Sequence, residues 1–481
     1  MTVKRCSNTQ NFANINKNGA TFAPAVRAPF LFILAKFVPL DSNFAVITLK
    51  LNEEDVKRMN NQKQLQRMFT FIDESPTCFH AVANLENMLD KEGFVKLDEK
   101  DVWEIEKGGK YYVNRNGSSL IAFILPGKKP SGFHMTAAHS DSPCFKIKEA
   151  PEIVVDDAYL KLNVEKYGGM IMSTWLDRPL SIAGRVVIKN KDGFESCLVN
   201  LDKDCAIIPN LSIHMNRDAN KGVEYNPQTD MQPLIGESAS KDEYLRLLAK
   251  EAGVSQEDIL GFDLFLYNRD KCRLIGIDDA YIAGPRLDDL ECAFATMTAL
   301  VNEKPDKYIN LCAIFDNEEV GSRTKQGADS TFLPDVLRRI CLKMGIDEEG
   351  YRCMLADSFL ISADNAHALH PNHQEKADVT NKPVLNGGIV IKHHGSQRYA
   401  TDAYSAAYMK DICNRTGVPY QSYANRSDIA GGSTLGNILT SQVSVNMVDI
   451  GLPQLAMHSA METAGAKDSA YLLEALRAFY R

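Results

Sequence analysis

The strongest constraint on how this chain folds is an alternation. From Gly284-Pro285 onward, apolar runs of strand length take turns with segments of helical periodicity. Residues 292–301 read as a helix, 310–315 as a strand, 333–344 as a helix and 359–363 as a strand. Residues 403–416 then read as a helix, 444–450 as a strand and 469–480 as a final helix. Such a pattern predicts an α/β fold, a central mixed β-sheet covered by helices on both faces.

Upstream the pattern is less regular. Ser75-Pro76 opens a helix that puts Val82, Leu85, Met88 and Leu89 on one face, and Gly93 ends it. Short β-rich runs follow at 111–113, 120–125 and 133–138. Residues 151–280 hold many strand-like pieces, such as 153–155, 185–188 and 264–267, with one helical stretch at 240–252. The expectation is one domain built from 53–150 and 281–481, interrupted by a β-rich insertion at 151–280. A length of 481 residues accommodates that arrangement.

Residues 1–52 do not match the rest. They carry six basic side chains against the single acid Asp41, and Pro24, Pro29 and Pro39 interrupt any helix. A signal peptide or a transit-like leader stays open here. The plainer expectation is a poorly ordered extension, possible if translation starts at Met59 or Met68.

Composition excludes several classes. With 44% apolar and 24% charged residues the chain is neither disordered nor fibrous. A net charge of −8 argues against nucleic acid or an anionic membrane surface as partner. No apolar run is long enough to span a bilayer. The 11 cysteines are scattered and never spaced C-x-x-C, which reads as reduced thiols in a cytoplasmic protein.

The chemistry collects just past the apolar runs. Residues 133–138 run into His139-Ser140-Asp141, and 285–287 lead to Asp288-Asp289. Residues 310–315 end in Asp316-Asn317-Glu318-Glu319, and 359–363 end in Asp364, with His367 and His370 beyond. Residues 444–450, then Leu452-Pro453, lead to His458. Ligands of open α/β sheets gather outside the carboxyl ends of the strands, so these five ends can converge. Two imidazoles and four or five carboxylates without cysteine suit divalent zinc, manganese or cobalt. The carboxylates outnumber what one catalytic zinc needs. Two metals sharing an aspartate, with a spare glutamate as base, account for them better. His139 and Asp141, two apart in extended chain, point the same way, so one can ligate while the other orients it.

Each signal has a bland reading beside it. An HxD triplet is often a core histidine near a surface acid, and Glu318-Glu319 alone would be a solvated face. His134 reads as a packed histidine, His393-His394 as an exposed loop pair, and Lys392 as a surface lysine at a strand end. The weight lies in five such ends in one alternating chain.

As a set these residues carry a resemblance. The segments TAAHSDSP (136–143), GPRLDDL (284–290), FDNEEVGS (315–322), SADNAHALHPN (362–372) and LPQLAMHSAMETAG (452–465) resemble the aspartyl aminopeptidase family of two-metal exopeptidases. WLDRPLSIAGRV (175–186), IPNLSIHM (208–215) and SQRYATDA (396–403) extend the likeness over roughly 60–481, and SDIAGGSTLGNI (427–438) is similar to the bacterial branch. The resemblance implies two divalent ions, most simply zinc, with His139 and Asp364 on one and Glu319 and His458 on the other. It implies Asp288 as the bridging carboxylate, Glu318 as general base and Asp141 as the acid behind His139. It further implies a dimerisation role for the insertion, with His214 reaching a neighbouring subunit's active site, and assembly into homo-oligomers as large as a dodecamer. Lys392 would line the pocket for an acidic N-terminal side chain. Relatives carry a non-proline cis peptide after the bridging aspartate, and often an asparagine where this chain has Asp289. The implied reaction removes N-terminal Asp or Glu from peptides, a metal-bridging water attacking as Glu318 takes its proton. The alternatives are a same-fold hydrolase with another preference, including an aminopeptidase for neutral residues, and a catalytically silent assembly protein. The intact base argues against the last.

Overall fold

In the computed structural model, which describes residues 53–481 apart from Asp192, nine strands form the central sheet. Its middle is Tyr308–Phe315, Gly132–His139, Phe359–Ala363 and Asn446–Gly451, all parallel. Antiparallel neighbours flank this block, Ser119–Ile124 on one side and Ile389–His393 on the other. The parallel register places Phe315 beside His139 and Ala363 beside Ile450, so the carboxyl ends share one edge. Strands covered on both faces are mostly apolar, and every residue of Phe359–Ala363 is buried.

Helices supply the two covers. Cys78–Lys91, Leu287–Asn302, Ala403–Thr416 and Asp468–Tyr480 pack on one face. Phe332–Lys343, Glu348–Ala356 and Leu435–Gln442 pack on the other. Local chemistry sets their ends. Asp402 caps Ala403–Thr416 by accepting the Ser405 N–H, and Gly417 closes it in the left-handed region at φ 68°. The mixed α/β fold expected from alternation is therefore present.

A second, seven-stranded sheet uses residues between Cys144 and Asn268. Ile259–Asn268 pairs with both Cys144–Val155 and Pro179–Asn190, which closes the sheet on itself. Phe145, Leu162, Leu180, Ile182 and Leu264 fill its interior, joined by Tyr244 and Leu248 of the helix Glu243–Ala252. Gly184 permits the closure, since a Cβ there would lie 2.0 Å from the Asp263 carbonyl oxygen.

The sequence pattern gave no sign of a third sheet. Arg273–Ile275, Tyr281–Gly284, Glu462–Gly465, Pro453–Leu455 and Ala366–His367 form it. It ties the segments before Asp288, after Asp364 and around His458. The helix Glu53–Asp73 was also unread, because its buried apolar residues Met68, Phe69, Phe71 and Ile72 crowd into its last turns. The expected extension at 1–52 lies outside the described residues. Among the described residues the cysteines are all free, and no helix is long and apolar enough to cross a membrane.

Candidate metal centre

His139 ends its strand with the imidazole buried. Its Nδ1 lies 3.0 Å from the Asp141 main-chain oxygen and 3.4 Å from Asp141 Oδ1, leaving Nε2 to face Asp288 Oδ1 at 3.7 Å. The other Asp288 oxygen lies 3.5 Å from His458 Nε2, which is 3.3 Å from Glu319 Oε2. One carboxylate thus stands between the two imidazoles. The backbone at Asp288 and Asp289 is non-helical, and the peptide joining them is cis.

Three groups of donor atoms, each within 4.8 Å of one another, meet here: His139, Asp288, Asp289 and Asp364; His139, Glu318 and Glu319; and Asp288, Glu319 and His458. Asp288 Oδ1, Asp289 Oδ1 and Glu319 Oε1 are buried with no hydrogen-bond partner. A buried carboxylate oxygen left without a partner carries a desolvation cost of about 1–3 kcal/mol or more, so such orphans call for a cation. A donor set of imidazole and carboxylate without cysteine fits zinc.

The turn bearing Glu318 and Glu319 is tied down. Asp141 accepts both backbone N–H groups at 3.2 Å and the Tyr167 hydroxyl at 2.7 Å. Asn317, in the left-handed region at φ 62°, donates to the same hydroxyl at 2.8 Å and accepts from Thr324 and Gln326. Asp141 thus holds this turn as well as the imidazole.

Electrostatics makes the same point as the orphans. Burial and the fields of Asp364, Asp141 and Asp288, against the pull of His139, push Glu318 up to about 8. Burial, then Asp288, push Glu462 up to about 8, and burial with Asp141 pushes Asp316 up to about 7. Asp288 is the exception. Burial opposes its charge, but His458, His139 and Lys392 outweigh it and lower its carboxyl.

A stability prediction follows for the metal-free chain. Carboxyls with raised folded pKa values hold protons that the unfolded chain releases, so their stabilisation is complete below about pH 4.5 and lost as pH rises through 7–8. His139 and His458, also raised, act in the same direction. The melting temperature of metal-free protein is expected to fall from about pH 5 to about pH 8, with zinc reversing the loss at the upper end. Melting independent of pH in that window would contradict the arrangement.

Other expectations land differently. His214 is exposed on a loop and joins none of these groups within its own chain. Lys392 is not the surface lysine its strand-end position suggested; it is 2% exposed, with Nζ 3.5 Å from Asp364 Oδ1 and 5.5 Å from the Tyr399 ring centroid. His134 is packed as read, stacked on Tyr308 at 3.8 Å and on Phe479 at 4.5 Å. His367, His370, His393 and His394 stay outside the donor groups. Beside His367 lies a cavity of about 240 Å³ lined by His370, Lys376, Lys382, Arg426 and others. Sequence reasoning placed Asp289 at one of the converging ends but gave it no ligand role, and it missed the Tyr167 hydroxyl and Glu462. The one signal for Glu462 was a lone acid opening the short run ETAG.

A mixed α/β sheet that brings two imidazoles and five carboxylates together defines a metal-binding α/β protein. Residues 71–480 match the model of the aminopeptidase I zinc metalloproteases (M18). The M18 family aminopeptidase 2 of Clostridium acetobutylicum is 47% identical over 431 residues, 88% of this chain and 100% of that protein. Among solved structures, the Ape4–Nbr1 complex contains a chain similar at TM-score 0.84 and 36% identity, over 90% of this chain and 87% of that one. The mApe1 dodecamer of S. cerevisiae is similar at TM-score 0.77 and 30% identity, over 88% of this chain and 97% of that one. The chain belongs to the M18 family and is a metal-dependent aminopeptidase.

Proposed function

We propose that this protein removes N-terminal residues, with aspartate and glutamate preferred, from peptides with a free N-terminus, using two divalent ions. The observation that carries the two-ion reading is Asp288, with one oxygen 3.7 Å from His139 and the other 3.5 Å from His458. His139, Asp364 and Asp288 would hold one ion, and Glu319, His458 and Asp288 the other. Zinc is the first choice, with manganese or cobalt acceptable to the same donors. Bound there, the ions supply Lewis acidity to the scissile carbonyl and make water acidic near neutrality.

The chain's own groups do the rest. Glu318 takes a proton from the attacking water on its carboxylate and returns it to the leaving amine. Asp141 orients His139 and fixes the turn that carries Glu318. The substrate's ammonium sits among the acids, which restricts cleavage to chain ends. His214 of a neighbouring subunit donates to the oxyanion. Its exposure, beside exposed Leu211, Ile213 and Met215, supports a role at an interface between copies. In this reading residues 151–280 are the dimerisation domain inserted into a catalytic domain of 53–150 and 281–481. The assembly is a dimer-based homo-oligomer, up to a dodecamer like mApe1, working in the cytoplasm.

The acidic preference rests on Lys392 and on the basic lining of the cavity beside His367. A neutral preference has one observation in its favour, since Lys392 already faces Asp364 at 3.5 Å. Lys392→Met separates them. The acidic pocket requires the kcat/KM ratio for Asp- over Leu-p-nitroanilide to fall at least about tenfold. An unchanged ratio leaves an aminopeptidase for neutral residues.

A further inference from the structure

The segments that meet at the metal centre come from far apart in the chain and arrive as loops. Asp141 holds the Glu318–Glu319 turn through two backbone N–H groups. On the other side of the centre Glu462 makes an equivalent pair of contacts. Its Oε1 accepts the His458 N–H at 2.7 Å, and its Oε2 accepts the Asp288 N–H at 3.1 Å. Glu462 is 2% exposed and pairs across the small sheet with Gly284, four residues before Asp288.

We propose that Glu462 is a positioning residue, a two-oxygen clamp that sets the spacing between the Asp288 carboxylate and the His458 imidazole. It would thereby build the half of the centre made by Asp288, Glu319 and His458. The inference rests on the two-ion reading above.

The backbone at His458 needs such a clamp. His458 and Ala456 both stand in the left-handed region, at φ 66° and 54°, which residues other than glycine hold only when their surroundings dictate it. The surroundings are few. Ser459 N–H donates to the Ala456 carbonyl at 3.0 Å, Ile171 N–H donates to the His458 carbonyl at 3.0 Å, and Glu462 accepts the His458 N–H. Because one carboxylate serves both N–H groups, Asp288 and His458 shift together or not at all. That correlation is what a shared ligand site requires, and a general surplus of negative charge would not produce it.

Glu462→Gln tests the clamp. It keeps the size and one acceptor, and it turns an NH2 donor against the second N–H. Metal-free wild type and variant are titrated with zinc by calorimetry and with cobalt by visible absorption. Their metal-free melting and their steady-state kinetics are compared alongside. The clamp predicts that one of two ions binds at least about tenfold more weakly in the variant, while the other, which shares only Asp288 with the clamped half, loses clearly less. It also predicts kcat at saturating zinc lowered about tenfold or more, with KM within about twofold, in a variant that still folds and melts cooperatively. Two ions bound as in wild type with kcat unchanged would overturn it. Should Glu462→Gln not fold, Glu462→Asp carries the same comparison, keeping the charge and retracting both oxygens by one methylene. Loss of folding in both would assign Glu462 to the scaffold and overturn the clamp. A wild-type chain that bound no zinc would fail in the control arm, overturning the two-ion reading and the clamp with it.

Discussion

Glu318→Gln is expected to bind zinc and melt as the wild type does while kcat falls by about three orders of magnitude. Glu318 shares a donor group with His139 and Glu319 but has no part in the Asp288 bridge. Its backbone is fixed by the Asp141 carboxylate, so the amide replaces the acid without freeing the turn. A carboxylate can take up and return a proton, and in the metal-free chain burial and the neighbouring acids raise its affinity for one. Gln is isosteric and does neither. Zinc uptake and melting report the fold and the site, and single-turnover rates report the proton transfer. Residual activity above about one part in a hundred would remove Glu318 from the role of base.

Chelation is expected to abolish turnover and to lower the melting temperature at about pH 8, with zinc restoring both. The cause lies in the orphaned oxygens of Asp288, Asp289 and Glu319. Within the pocket the described cations are His139, His458 and Lys392, too few for the acids gathered around them. Bound ions supply the missing charge. Without them the acids repel one another as they ionise towards about pH 8, which loosens the loops that carry them, and proton uptake at lower pH relieves the repulsion. Equal melting with and without chelator would show that the cluster is satisfied by the protein alone.

The site was legible because of where its residues stand. His139, Glu319 and Asp364 fall at or within a few residues of the end of a continuous apolar run, and parallel strands share an edge by construction. Asp288 and His458 were legible by the same rule, although their strands belong to the small sheet. That sheet itself was not legible. Ala366–His367 and Pro453–Leu455 are two and three residues long, too short for periodicity, and their pairing joins residues almost ninety positions apart. Lys392 was misplaced for a related reason. A lysine at a strand end is exposed unless something covers it, and its cover comes from Tyr399 and Asp364, on separate segments. Glu462 escaped notice because its partners are backbone N–H groups, which every sequence offers at every position. Closure of the second sheet likewise depends on one long strand, Ile259–Asn268, pairing on both of its edges.

The proposed reaction needs two ions, which His139, Asp288, Glu319, Asp364 and His458 would hold. Its most direct test is to return zinc stepwise to metal-free protein, counting bound ions per chain while following release of p-nitroaniline from Asp-p-nitroanilide. Two ions per chain are expected, with turnover appearing only as the second site fills. Full turnover at one ion per chain, or two bound ions with no turnover from the assembled protein, would contradict it.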